Sequence, residues 1–303
     1  MVAAFLFKPP KGVKMNLIVN FTPTGMIPTK KMTPYVPITI NEIIEDIHEA
    51  YEIGITVVHI HARDEKTGEP TYKATVYRSI IEGIRKFSRD LVICVSLSGR
   101  TFKKFEERAE VLQLNGDLKP DMGSLTLSSV NFNHQASVSS PEMIQHLARV
   151  LKIRGILAEL EAFDSGMINY AKYLEKKGLL DPPHYFNLLF GNIACAQASL
   201  LHMGVMINDL PDWSYWSAAG VGNTQSIVNS IAIAYGGGVR VGLEDNIWYD
   251  KDRSKLAKNS DLLKRIHKLA EANERKLMSP NEFRRLLALQ HNGNYGRISG
   301  LKQ

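Results

Sequence analysis

Two histidines one residue apart, His59 and His61, are the side chains in this sequence best suited to gripping a metal ion. They end the β-branched run Thr56-Val57-Val58. Side chains alternate faces along a strand, so both imidazoles point one way while Val58 and Ile60 point the other. Imidazole nitrogen and carboxylate oxygen suit a borderline cation such as Zn²⁺, and a catalytic site leaves one position open for substrate. Alone, the pair reads equally well as two polar residues at a strand end. A second segment shifts the balance: Gly236-Gly237-Gly238-Val239-Arg240-Val241-Gly242-Leu243-Glu244-Asp245-Asn246, which ends in a carboxylate pair close to an arginine. Glu244 is the expected third ligand beside His59 and His61. Two histidines and a carboxylate also describe a non-haem Fe(II) site, so the donor set leaves the metal open.

Other polar groups recur at the ends of short apolar runs. Thr22 and Thr24 follow the first run, and Ser96, Ser98, Gly99 and Arg100 follow the third. Ser124, Thr126 and Ser128 alternate along the fourth, and Glu159 and Glu161 share a face of the fifth. Any one of these is an ordinary structural hydrogen-bonding group; their recurrence points to a ring of binding groups at one rim.

The elements that must position them alternate in type. Strands are predicted at Leu17–Thr22, Thr56–His61, Leu91–Ser98, Met122–Ser128, Gly155–Glu161, Tyr185–Phe190, Trp213–Ala219 and Val239–Leu243. Amphipathic helical patterns fall between them, at Asn41–Ile53, Tyr77–Phe87, Phe102–Leu114, Pro141–Leu151, Gly166–Lys177, Ala194–Met206, Gln225–Tyr235 and Ser260–Glu274. Eight strand–helix steps predict an α/β fold, a single (β/α)8 (TIM) barrel domain, for which about 250 residues is typical and in which active sites sit at the C-terminal strand ends. Closure brings the last strand beside the first two, which lets Glu244 reach His59 and His61. An open dinucleotide-binding sheet is the alternative, but Thr22-Pro23-Thr24-Gly25 is not the glycine-rich turn that sheet requires. Residues 1–15 read as a short extension. Residues 276–303 read as a helical arm or tail, with a helix start at Ser279-Pro280-Asn281-Glu282 and either an approach to a neighbouring subunit or disorder beyond it.

The 303 residues are 44% hydrophobic and 22% charged, ordinary for a globular chain that needs no disulfides. Two cysteines, Cys94 and Cys195, each in an apolar stretch, fit a reducing cytoplasm. No apolar run approaches the roughly 20 residues of a membrane span, so no membrane role is expected. The formal charge of +6 is spread along the chain and mixed with acidic residues, which argues against a nucleic-acid stripe. It still favours anionic substrates such as carboxylates or CoA phosphates.

With these segments in view, the chain resembles the β-keto acid cleavage enzyme family. The matching segments are Asn20-Phe21-Thr22-Pro23-Thr24-Gly25, His59-Ile60-His61-Ala62-Arg63-Asp64, Ser124-Leu125-Thr126, Glu159-Leu160-Glu161-Ala162-Phe163-Asp164 and Val239 to Asn246. The resemblance implies a Zn²⁺-dependent barrel that converts a β-keto acid and acetyl-CoA into acetoacetate and a new acyl-CoA, and it suggests a homotetramer. By position it implies His59, His61 and Glu244 as zinc ligands, Asp245 as general base and Arg240 as its charged neighbour. Thr22, a serine at 96 or 98, Gly99, Thr126 and one of Glu159 or Glu161 are implied for the substrate. Arg100 stands where the family usually has glycine. Thr24-Gly25-Met26-Ile27 offers no acidic residue where the aminohexanoate-cleaving members carry one, so a keto acid lacking an amino group is expected. Two other readings stay open: a metal-dependent hydrolase of the amidohydrolase type, and a non-catalytic keto-acid-binding barrel.

Overall fold

A computed structural model describes residues 15–290. Eight parallel strands close into a barrel: β1 (Val19–Phe21), β2 (Val57–Ile60), β3 (Val92–Val95), β4 (Met122–Thr126), β5 (Leu157–Ala162), β6 (His184–Phe190), β7 (Ser214–Gly220) and β8 (Gly238–Val241). Each strand pairs with its sequence neighbours, and β8 returns to β1 with Asn20 opposite Arg240. Every predicted strand is present, at the predicted place. The barrel is ringed by α1 (Ile40–Ile53), α2 (Ala74–Phe87), α3 (Phe105–Ala109), α4 (Pro141–Arg154), α5 (Ser165–Lys176), α6 (Leu200–Asp209), α7 (Gln225–Tyr235) and α8 (Asn259–Ala272). None of the described helices is long and apolar enough to cross a membrane.

The alternation rule sorts the core into two layers. Val58, Ile60, Val239 and Val241 pack outward against the helices, while Val57, Val92, Cys94, Met122 and Tyr185 fill the lumen. The helix starts follow local chemistry. Thr39 and Glu42 form a reciprocal capping box on α1, and Ser140 and Asp164 accept backbone N–H groups at the starts of α4 and α5.

Three predicted segments differ. The helix expected over Phe102–Leu114 is five residues of α3 followed by a 3₁₀ turn at Glu110–Gln113. There Val111 and Leu112 are both buried, and Glu110 turns away to accept the Ala74 N–H at the start of α2. The helix expected from Ala194 starts at Leu200, because Ser199 caps it through the His202 N–H. The third concerns the C-terminal segment. A ninth helix, α9 (Pro280–Leu286), closes the floor of its own barrel instead of reaching outward. Phe283 meets Tyr185 edge-on at 5.0 Å, and Arg284 grips both oxygens of Asp121 at 2.7 and 2.8 Å. The arm or tail assigned to 276–303 is therefore, as far as residue 290, a plug; residues 291–303 and 1–14 lie outside the described residues.

One half-buried acid outside the lumen makes the stability of the fold depend on pH. Asp46 on α1 is half-buried and accepts the Asn259 Nδ2–H at 2.7 Å. Burial pushes its carboxyl from 3.8 up to about 7; Asn259 and Lys30 oppose the shift and Glu49 adds to it. An acid raised in the folded state favours folding fully only below its unfolded value. The cost of ionising it therefore grows as pH rises from about 4 to about 7. Asp46→Asn removes that cost. We expect the variant to match wild type near pH 4 and to be more stable by about 1–2 kcal/mol at pH 8, allowing for solvent screening. A difference in melting temperature that stays constant across that range refutes the assignment.

Candidate metal and substrate site

At the C-terminal rim, β2 delivers His59 and the residue two further on, His61. Both are buried, and their Nε2 atoms lie 3.2 Å apart. The β8 strand ends at Val241 and turns so that Glu244 Oε1 comes 3.1 Å from His61 Nε2. Two backbone positions make the turn possible. Gly242 has φ 159°, and a Cβ there would fall 2.0 Å from the Thr22 carbonyl oxygen. Gly25 has φ 67°, and a Cβ there would strike Glu244 Cγ at 2.5 Å. Asn259 fixes the turn from outside. Its Oδ1 accepts the Leu243 N–H, and its Nδ2 donates to the Pro23 carbonyl.

The donor set fits a cation. A tetrahedral ion with bonds of about 2.0–2.1 Å needs neighbouring donors about 3.3 Å apart, as the 3.2 and 3.1 Å spacings here are. The second Glu244 oxygen is buried without a hydrogen-bond partner. His59 Nδ1 lies 2.6 Å from Glu159 Oε2 and donates its N–H to that carboxylate, which leaves Nε2 as the nitrogen that would ligate an ion. Glu159 is fully buried, receives Asn20 Nδ2–H at 2.8 Å and the Cys94 thiol at 3.2 Å, and is held ionised by the His59 and Arg240 charges against the cost of burial. Burial raises the Cys94 thiol, with Glu159 adding to the effect, so Cys94 donates as a neutral S–H.

Beside this pocket Arg240 is buried among three carboxylates. Nε and Nη2 donate to Asp245 Oδ2 and Oδ1 at 3.1 and 3.3 Å, Nη2 to Glu244 Oε1 at 2.7 Å and Nη1 to Glu161 Oε1 at 3.4 Å. Burial works against its charge, but Asp245, Glu244 and Glu161 outweigh it and keep it protonated. Asp245 is shifted up from its ordinary value, chiefly by burial and further by Glu244, with Arg240 opposing. Thr22 Oγ1 donates to Asp245 Oδ2 at 3.3 Å. Burial likewise raises Glu161, whose Oε2 accepts the Thr126 hydroxyl at 2.7 Å.

A cavity of about 760 Å³ opens over these groups. His61, Ser96, Ser98, Thr126, Glu161 and the Arg240–Glu244–Asp245 cluster line its base. Not every substrate-binding position named from sequence meets it. Thr22 lies behind Asp245. Glu159 lies below the histidines, so of the two glutamates it is Glu161 that faces the cavity. Gly99 is a packing position: a Cβ there would come 2.4 Å from the Val138 carbonyl oxygen and 2.8 Å from Arg108. Arg63 and Asp64, beside the histidines in sequence, are loop-builders. Arg63 donates to the carbonyls of Gly25, Pro28 and Gly68, and Asp64 caps the turn at Lys66 and Thr67.

A family profile described as "beta-keto acid cleavage enzyme" matches residues 16–289. The 3-keto-5-aminohexanoate cleavage enzyme of Fusobacterium nucleatum is 34% identical over 277 residues, 91% of this chain and 98% of that one. The 3-oxoadipate:acetyl-CoA acetyltransferase of Cupriavidus necator is 32% identical over 90% and 94% of the two chains. The 3-dehydrocarnitine:acetyl-CoA trimethylamine transferase of Rhizobium meliloti is 29% identical over 92% and 99%. Among solved structures, that of ObcA in its apo form superposes with a TM-score of 0.73 at 19% identity, covering 84% of this chain and 66% of that one, a likeness of fold. Full-length similarity to cleavage enzymes and acetyl-CoA transferases identifies an enzyme of this kind, and the chain belongs to the beta-keto acid cleavage enzyme family.

Proposed function

We propose that this protein cleaves a β-keto acid with acetyl-CoA, releasing acetoacetate and the acyl-CoA of the remaining fragment. The observation that carries the reading is the pairing of Asp245 with Arg240 next to the His59–His61–Glu244 donor set, whose His61 and Glu244 line one cavity. Zn²⁺ is the ion we assign there, since imidazole, imidazole and carboxylate at tetrahedral spacing suit it. Bound there, it supplies Lewis-acid polarisation of the substrate's oxygens.

The chain's own groups do the rest. Asp245, ionised but basic for a carboxylate, takes a proton from C2 of the keto acid. The carbanion carbon adds to the thioester carbon of acetyl-CoA, CoA moves to the C3 carbonyl, and the C2–C3 bond breaks. C2 takes back the proton held by Asp245 and leaves, with its carboxylate and the acetyl group, as acetoacetate. Arg240 holds Asp245 facing the cavity, and the hydroxyls of Ser96 and Ser98, which line it, donate to developing oxygen charge, while Thr126 donates to Glu161. Glu159 holds the His59 ring in the tautomer that ligation needs.

The test is turnover of a β-keto acid panel with acetyl-CoA. Activity should require acetyl-CoA, fall with a chelator and return with Zn²⁺. Hydrolysis without acetyl-CoA would sink the reading. Both cysteines are free thiols, in keeping with the cytoplasm we assign. A homotetramer is our reading of its assembly, supported by Leu200 and Leu201 on α6, each 72% exposed. Light scattering should return about four times the 33.9 kDa chain mass; a monomer overturns it.

A further inference from the structure

The positive charge around the cavity is unevenly committed. Arg240 is spent on Asp245, Glu244 and Glu161, which are also the only acids among the described lining residues. Arg100, just past the end of β3, faces the same cavity with no such partner. Its guanidinium lies 3.6 Å from the centroid of the Phe132 ring, and among the described residues no carboxylate comes within ion-pair distance of it. A guanidinium seated over a ring face packs through its central carbon and leaves N–H donors available to a ligand. Those donors form a fork that matches a carboxylate. Partial burial works against the Arg100 charge, and the carboxylates that oppose this are those already held by Arg240. Met26, Ile27 and Met32 also line the cavity and offer no group to receive a substrate ammonium.

We propose that Arg100, seated on Phe132, receives a second anionic group at the far end of the substrate, making this chain selective for a dicarboxylic 3-oxo acid. The inference rests on the β-keto acid reading above and narrows it to one substrate class. A phosphate of CoA offers similar chemistry, and the experiment separates the two.

Two 3-oxo acids of equal chain length, one ending in a carboxylate and one in a methyl group, are compared as substrates with acetyl-CoA and with the phosphate-free thioester S-acetyl-N-acetylcysteamine. Wild type should favour the dicarboxylic acid by about 10- to 100-fold in kcat/KM, the range of a charge-assisted bidentate pair. Arg100→Gln should cut that ratio at least tenfold with either thioester. Arg100→Lys, which keeps charge but loses the planar fork, should fall between. Equal losses on both acids, or an effect confined to acetyl-CoA, overturn the inference and place a phosphate or a packing role at Arg100. Calorimetric binding of the two acids, without thioester, separates this claim from the proposed reaction. A preference for the dicarboxylic acid that Arg100→Gln abolishes sustains the inference even if turnover fails. Equal binding of the two acids by wild type overturns it even if turnover succeeds.

Discussion

Asp245→Asn is expected to keep its metal and lose at least about 10²-fold in kcat, the scale of a missing general base. Asparagine has nearly the same shape, and its oxygen can still accept from Arg240 Nε and Thr22 Oγ1; of the three bonds that aim Asp245 at the cavity, it gives up the one from Arg240 Nη2 to Oδ1. What it cannot do is take a proton. The environment bears on this directly. Burial, with Glu244 beside it, makes Asp245 more basic than a free carboxylate, while Arg240 keeps it ionised. Proton removal at C2 can be watched apart from cleavage, by exchange of the keto acid's C2 hydrogens with deuterated solvent. In the variant that exchange should fall together with turnover while metal content stays at the wild-type value. Exchange at the wild-type rate would remove Asp245 from the base role and pass it to another group at the cavity's base, with Glu161 the nearest carboxylate of raised basicity.

Much of this site was legible because its signals are local. A period of two puts His59 and His61 on one face whatever the rest of the chain does, and eight short strand-like runs alternating with helical patterns leave few folds besides a closed barrel. Closure then brings Glu244 to residues some 180 positions earlier, as the prediction required. What stayed hidden depends on depth and on partners far apart in sequence. Glu159 and Glu161 look alike as alternate residues of one strand. Only the barrel's tilt sends the first beneath His59, across 100 residues, and the second to the cavity. Gly25 reads as a turn glycine; that its bare Cα makes room for Glu244 needs the two loops in contact. The α9 helix shows an ordinary capped start at Ser279, but nothing near it in sequence says that its apolar face fits the barrel floor under Tyr185. Arg100 was visible as a departure from the family's usual glycine, and its stacking on Phe132 could not be read without the fold.

His59→Ala is expected to abolish metal binding and, with it, at least about 10³-fold of activity, since a Lewis acid contributes several kcal/mol and each 1.36 kcal/mol is tenfold. His59 carries more than one donor of three. Its Nδ1 bond to Glu159 links the donor set to the lumen network of Asn20 and Cys94, so its loss also leaves a fully buried carboxylate short of its main counter-charge. A fall in melting temperature should therefore accompany the loss of metal. His61→Ala separates the two effects. His61 faces the cavity, and among the described residues its side-chain hydrogen-bond partners are His59 and Glu244, so this variant should lose metal with little loss of stability. Metal analysis after exhaustive dialysis and thermal melting, run on both variants, give the answer together. If either variant keeps one equivalent of ion at wild-type affinity, the ion is not held by this set, and the Lewis-acid part of the proposed chemistry has to be sought elsewhere in the cavity.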